Sequence, residues 1–142
     1  MTPDTTETIR SRVDTADLMS ILDFSMQDGA MLSHNGVNHP PDGDHVPVAR
    51  YVSADETIEL WLTAKFTTGN PMDGATYYGL LDLGNGSPEI GPVPLDELYV
   101  ASLDHPGSRL ARDKTYVWRE NGKRVYEILQ EKRESLRRLR RS

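Results

Sequence analysis

No cysteine occurs among the 142 residues, which excludes disulfides, thiolate zinc sites, iron–sulfur clusters and cysteine nucleophiles and gives no support to export into an oxidising compartment. The chain also lacks any run near the eighteen or so apolar residues that cross a bilayer, and residues 1–7 lack the apolar stretch of a signal peptide. These absences lead us to expect a cytoplasmic protein that does not engage membranes. Nucleotide-binding fingerprints are missing too. Gly84-x-Gly86 has neither the third glycine of a dinucleotide loop nor the Lys-Ser/Thr of a P-loop, and no Gly-x-Ser-x-Gly elbow is present. No cofactor is expected. Aromatic residues are few (7%), and apolar residues make up 37%. That is low for a globular chain but well above the level of a disordered one, and it predicts one domain with a modest core and generous loops.

Charge is abundant but unevenly placed. The net charge is -6, yet the segment from Arg119 onward holds nine Lys/Arg against four Glu, a balance of +5, leaving seven basic and eighteen acidic residues, or −11, for the rest. An acidic body repels nucleic acid while a basic tail attracts it, so the whole-chain charge does not decide the partner.

Periodicity predicts an α+β fold: a small antiparallel sheet with an N-terminal helix and a long C-terminal helix packed at the sheet. A short amphipathic helix is expected over 14–26, capped by Asp14 or Thr15 and carrying Leu18, Met19, Ile21 and Leu22 on one side. Residues 29–45 are dense in Gly, Pro, Asn and Asp and read as a loop. Strands follow at 46–52 and at 57–66, where Ile58, Leu60, Leu62, Ala64 and Phe66 alternate with polar residues and Trp61 at the period of a half-buried strand. A third strand is read at 75–83, turned by Gly84-Asn85-Gly86. A short helix is expected to begin near Pro94, and a last strand at 114–118. Asn121 is read as the cap of the final helix. The organisation expected is a flexible stretch over 1–13, a single domain over 14–121 with its loop at 29–45, and an amphipathic basic helix over 122–142.

Several clusters bear on chemistry. His34, His39 and His45, with Asp42 and Asp44, carry metal-ligand types at a spacing that matches no established motif; polar residues in a loop explain them as well. Asp82 and Glu89, with Asp96 and Glu97, offer carboxylates that would hold magnesium for phosphodiester chemistry if they converged, whereas a turn at Asp82 and a helix start at Asp96 and Glu97 account for them otherwise. Trp61 lies on the strand face opposite the apolar stripe, where Tyr78 and Trp118 are candidates to join it in stacking nucleobases or docking a protein, unless a terminal helix covers that face. Lys132, Arg133, Arg137, Arg138, Arg140 and Arg141 place six cations within ten residues, enough to contact several phosphates, or to stabilise a solvated helix end. Val125, Ile128, Leu129, Leu136 and Leu139 offer a seam through which the helix would form a homo-oligomer.

Pro47-Val48, Trp61-Leu62, the run Tyr78-Gly79-Leu80-Leu81-Asp82-Leu83-Gly84-Asn85-Gly86-Ser87-Pro88-Glu89-Ile90-Gly91, then Val93, Leu95, Glu97-Leu98 and Arg112-Asp113 occur in an order that resembles an uncharacterised bacterial domain-of-unknown-function family common on plasmids and other mobile elements. The resemblance spans 47–113, with departures at Lys65 and Pro92, and implies a small α+β fold and a mobile-element setting but no reaction. The function expected is therefore that of a non-enzymatic accessory protein of a mobile element or phage. It would bind a host or element-encoded protein, or nucleic acid through the basic tail, with an anti-defence role as one version. A metal-dependent nuclease using Asp82 and Glu89, and an assembly or virion subunit, are the alternatives.

Overall fold

In the computed structural model residues 9, 11–38, 43–67 and 74–141 are described. Helix α1 (Thr15–Leu22) is capped by Asp14, whose carboxylate accepts the Asp17 N–H at 3.1 Å, and it stops where Asp23 turns left-handed at φ 53°. Helix α2 (Met26–Asn38) follows at once. Its first turn is closed by a reciprocal pair: Ser25 Oγ accepts the Asp28 N–H and Asp28 accepts the Ser25 N–H, each at 3.0 Å. The loop expected over 29–45 is thus helical as far as Asn38, and residues 39–42, including His39 and Asp42, lie outside the described residues. Packing explains the difference. The face of α2 buries Leu32, Asn35 and Gly36 against the sheet, and Asn35 donates to the Thr63 carbonyl at 2.8 Å.

Among the described residues five strands form one antiparallel sheet: β1 (Ala49–Ser53), β2 (Glu59–Thr67), β3 (Ala75–Asp82), β4 (Glu89–Val93) and β5 (Leu110–Arg112), in the order β4-β3-β2-β1-β5. The first four are a meander; β5 returns to the free side of β1. Sequence periodicity located β2 and β3. It missed β4, which contains Gly91 and Pro92, residues tolerated on an edge strand that needs hydrogen bonds on one side only. It also misplaced the last strand. Residues 114–118 form no strand, because Asp113 accepts both the N–H and the hydroxyl of Thr115 (3.0 and 2.6 Å) and turns the chain; β5 lies just before that turn. Residues 68–73 lie outside the described residues.

Helix α3 (Leu95–Asp104) carries Asp96 and Glu97 in its first turn, where they suit the helix dipole. A single helical turn, α4 (Trp118–Asn121), is stopped by Gly122 at φ 64°, and the final helix α5 (Val125–Arg141) begins three residues later. Asn121 therefore ends α4, four residues before α5 begins. The cap of α5 comes from across the fold: Asp44 accepts the Tyr126 N–H at 3.1 Å and the His45 carbonyl accepts the Val125 N–H at 2.8 Å. Asp44→Ala is expected to cost about 1 kcal/mol, the usual value of a lost side-chain cap, with early fraying of 125–128 in amide hydrogen exchange.

The result is three layers. On one face of the sheet Ala49, Tyr51, Leu60, Leu62 and Val93 pack with Leu22, Leu32 and Leu95 from the helices, and the Tyr51 hydroxyl donates to the Leu22 carbonyl. The other face carries a smaller core of Leu80 with Val125, Ile128 and Leu129 of α5, flanked by Trp61 and Ile90. Residues 1–8 and 10 of the stretch expected to be flexible lie outside the described residues, whereas Ser11 and Arg12 are helical and Arg12 pairs with Asp104 at 3.1 Å.

Candidate nucleic-acid interface

Val125, Ile128, Leu129, Lys132, Leu136 and Leu139 recur at the three-and-four spacing that puts them on one side of a helix. The three aliphatic residues at the start of this stripe are buried on the sheet, Leu136 is half-buried, and Leu139 is 71% exposed. The helix thus sits on the sheet through its first half and runs on beyond that seat.

Lys132 marks the end of the seat. Its ammonium lies 2.5 Å from Glu59 and 2.9 Å from Asp82, two residues that face each other across the β2–β3 ladder. Glu59 is the hub of a larger network. It accepts from the Trp61 indole N–H at 2.9 Å and from the Arg50 guanidinium, which also reaches Asp113 at 2.7 Å. Arg50 lies over the Trp61 ring at 5.1 Å, and Tyr116 meets the same ring edge-on at 5.0 Å. Burial pushes the Glu59 carboxyl upward, but hydrogen bonds from Lys132, Trp61 and Arg50 outweigh it and hold the group below its ordinary value. Lys132 is the mirror case: burial lowers it, and its bonds to Glu59 and Asp82 leave it raised.

This geometry sorts the sequence candidates. Asp82 is occupied by Lys132 and by the Gly84 N–H at 2.9 Å. Glu89 pairs in register with Leu81, one residue out of step with the Asp82 side of β3, so the two carboxylates point to opposite faces of the sheet. Trp61 and Tyr78 do share one face, but α5 packs beside Trp61; Trp118 packs against the first core on the far side, under Arg119 at 5.1 Å. His34 is exposed on α2, His45 precedes β1, and among the described residues no three His, Asp or Glu converge to hold a metal.

Beyond Lys132 the helix carries Arg133, Arg137, Arg138 and Arg140, all exposed; the side chain of Arg141 lies outside the described residues. These four differ from the other described arginines. Arg12, Arg50, Arg109 and Arg112 each hold a carboxylate, Arg124 donates to the Asp44 carbonyl, and Arg119 stacks on Trp118. None of the four on α5 has an ion pair among the described residues. Sequence reading found these cations but missed the network of Arg50, Glu59 and Asp113; its one signal was Glu59, a charged residue on the Trp61 side of a period-two strand.

Residues 24–121 match the model of a family described as a protein of unknown function (DUF2958). The match takes in the whole sheet, α2, α3 and α4, and leaves out α1 and α5. No curated protein and no solved structure matches the chain.

Proposed function

The chain belongs to this family of unknown function, and on that premise we propose that it is a non-enzymatic accessory protein that holds nucleic acid through the free end of α5. The observation that carries the reading is the contrast among the described arginines: those of the body are each engaged, while Arg133, Arg137, Arg138 and Arg140 are exposed with no carboxylate in contact among the described residues. Guanidinium groups without an internal partner keep their full attraction for phosphate. The helix that bears them is held to the sheet by Lys132 and by the apolar residues before it, so the cations are presented on a fixed support.

Salt dependence is the discriminating measurement. Four phosphate contacts give a log–log slope of roughly −3.6, so affinity measured by fluorescence anisotropy should fall about a hundredfold between 50 and 200 mM salt. The variant with Arg133, Arg137, Arg138 and Arg140 all changed to Gln keeps helix propensity and touches no buried contact, and it should lose most of both the affinity and the slope. Unchanged binding in that variant overturns the proposal. An absence of nucleic-acid binding by the parent chain overturns it as well and favours a protein partner for the acidic body, whose −11 balance suits a basic surface.

A further inference from the structure

Resting on that reading, we infer that the nucleic acid is B-form duplex DNA and that the free end of α5 enters its major groove. Three observations converge. The first is that the free end of α5 offers no stacking platform: residues 127–142 contain no aromatic side chain, Tyr126 sits at the opposite end of the helix, and Trp61 and Trp118 are packed elsewhere in the fold. Single strands are held on aromatic faces as well as by charge, and this end of the helix offers charge alone.

The second is the arrangement of charge around the helix. At about 100° per residue, Arg133, Arg137 and Arg140 follow one flank and Arg138 lies on the other, with the apolar stripe of Leu136 and Leu139 behind them. Cations on both flanks of a rigid rod match the two phosphate strands that border a groove. A helix of about 10–12 Å across fits the B-form major groove of about 12 Å, and does not fit the deep, narrow major groove of A-form RNA.

The third is reach. From Arg133 to Arg141 the helix extends about 13 Å past its last ion pair with the sheet. Charges are screened over about 8 Å at 0.15 M salt, so the tip acts beyond the field of the acidic body, whereas at 0.01 M the screening length grows to about 30 Å and takes the body in. An ordinary basic tail tightens steadily as salt is removed. This one should gain markedly less below 0.05 M than it gains between 0.15 and 0.05 M, because the body begins to repel the same phosphates.

The test uses the full chain with labelled duplex DNA, duplex RNA and single-stranded DNA of equal length, at 0.15, 0.05 and 0.01 M salt, and dimethyl sulfate as a probe of guanine N7 in the major groove. Expected are at least tenfold tighter binding to duplex DNA than to either other probe, N7 protection that is lost on changing Arg137, Arg138 and Arg140 to Gln, and the low-salt flattening. Equal or tighter binding to duplex RNA or to the single strand, or duplex binding without N7 protection, overturns the groove inference while leaving the phosphate-holding role standing. Failure to bind all three probes overturns both.

Discussion

Gly36→Ala is expected to destabilise the fold by about 2–4 kcal/mol, although glycine to alanine inside a helix normally stabilises by up to about 1 kcal/mol. The reversal follows from how closely α2 approaches β2. A Cβ on Gly36 would lie 2.0 Å from the Lys65 carbonyl oxygen and 2.7 Å from its carbon, both backbone atoms with no side chain to swing aside. Relief requires lifting α2 from the sheet, which loosens Leu32 and the Asn35 bond to Thr63 at the same time. Gly29, in the same helix, has nothing within 4 Å of its Cβ position and supplies the control: Gly29→Ala should stabilise by about 0.5–1 kcal/mol. Urea denaturation of the pair reads both signs. Stabilisation by both substitutions would mean that α2 is not seated as described.

The second large effect is expected at Glu59. Glu59→Ala removes the acceptor shared by Arg50, Lys132 and the Trp61 indole, leaving, among the described residues, Asp113 as the ion-pair partner of Arg50 and Asp82 as that of Lys132. Breaking a fully buried pair costs about 3–5 kcal/mol; these side chains retain about a fifth of their exposure, which brings the expected loss to about 2–3 kcal/mol. Hydrogen exchange should show the loss first in α5 around Lys132. Its pH dependence has a definite sign. Glu59 is held below its ordinary value of 4.5, so its contribution is complete above the unfolded value and disappears as pH falls through the folded one. Lys132 is held above 10.5, so its contribution is complete below that value and disappears as pH rises past it. The stability gap between the parent and Glu59→Gln should therefore be widest from above the ordinary carboxyl value of 4.5 up to about pH 10, and close on acidification as Glu59 takes up its proton. A gap independent of pH across that acid range would show that Glu59 acts by packing alone.

Both variants bear on how α2 and α5 are seated on the sheet, which the sequence did not show even where it showed the helix. The basic end of α5 was visible as a run of letters, but whether those cations were free or paired was not. Lys132 stands among them in sequence and proved to belong to the sheet, bound to residues about fifty and seventy positions away. The same holds for the cap of α5, where Asn121 was the local candidate and Asp44, eighty-two residues upstream, makes the bond.

What the sequence determined by itself was whatever depends on neighbours in the chain: the period-two alternation that made β2 a strand, the turn after β3, the capping of α1 by Asp14, and the amphipathic spacing of α5. Tertiary structure decided the rest, because it turned on groups meeting from distant parts of the chain. Gly36 and its neighbours lack local helix preference and become helix because a bare backbone can lie against β2. Gly91 and Pro92 become strand because an edge needs only one partner, and Asp82 and Glu89 part company because adjacent register positions face opposite sides of a sheet. Lys132 and Arg133 are adjacent in sequence, yet contact with Glu59 and Asp82 makes one a fastener while the other stays exposed to solvent.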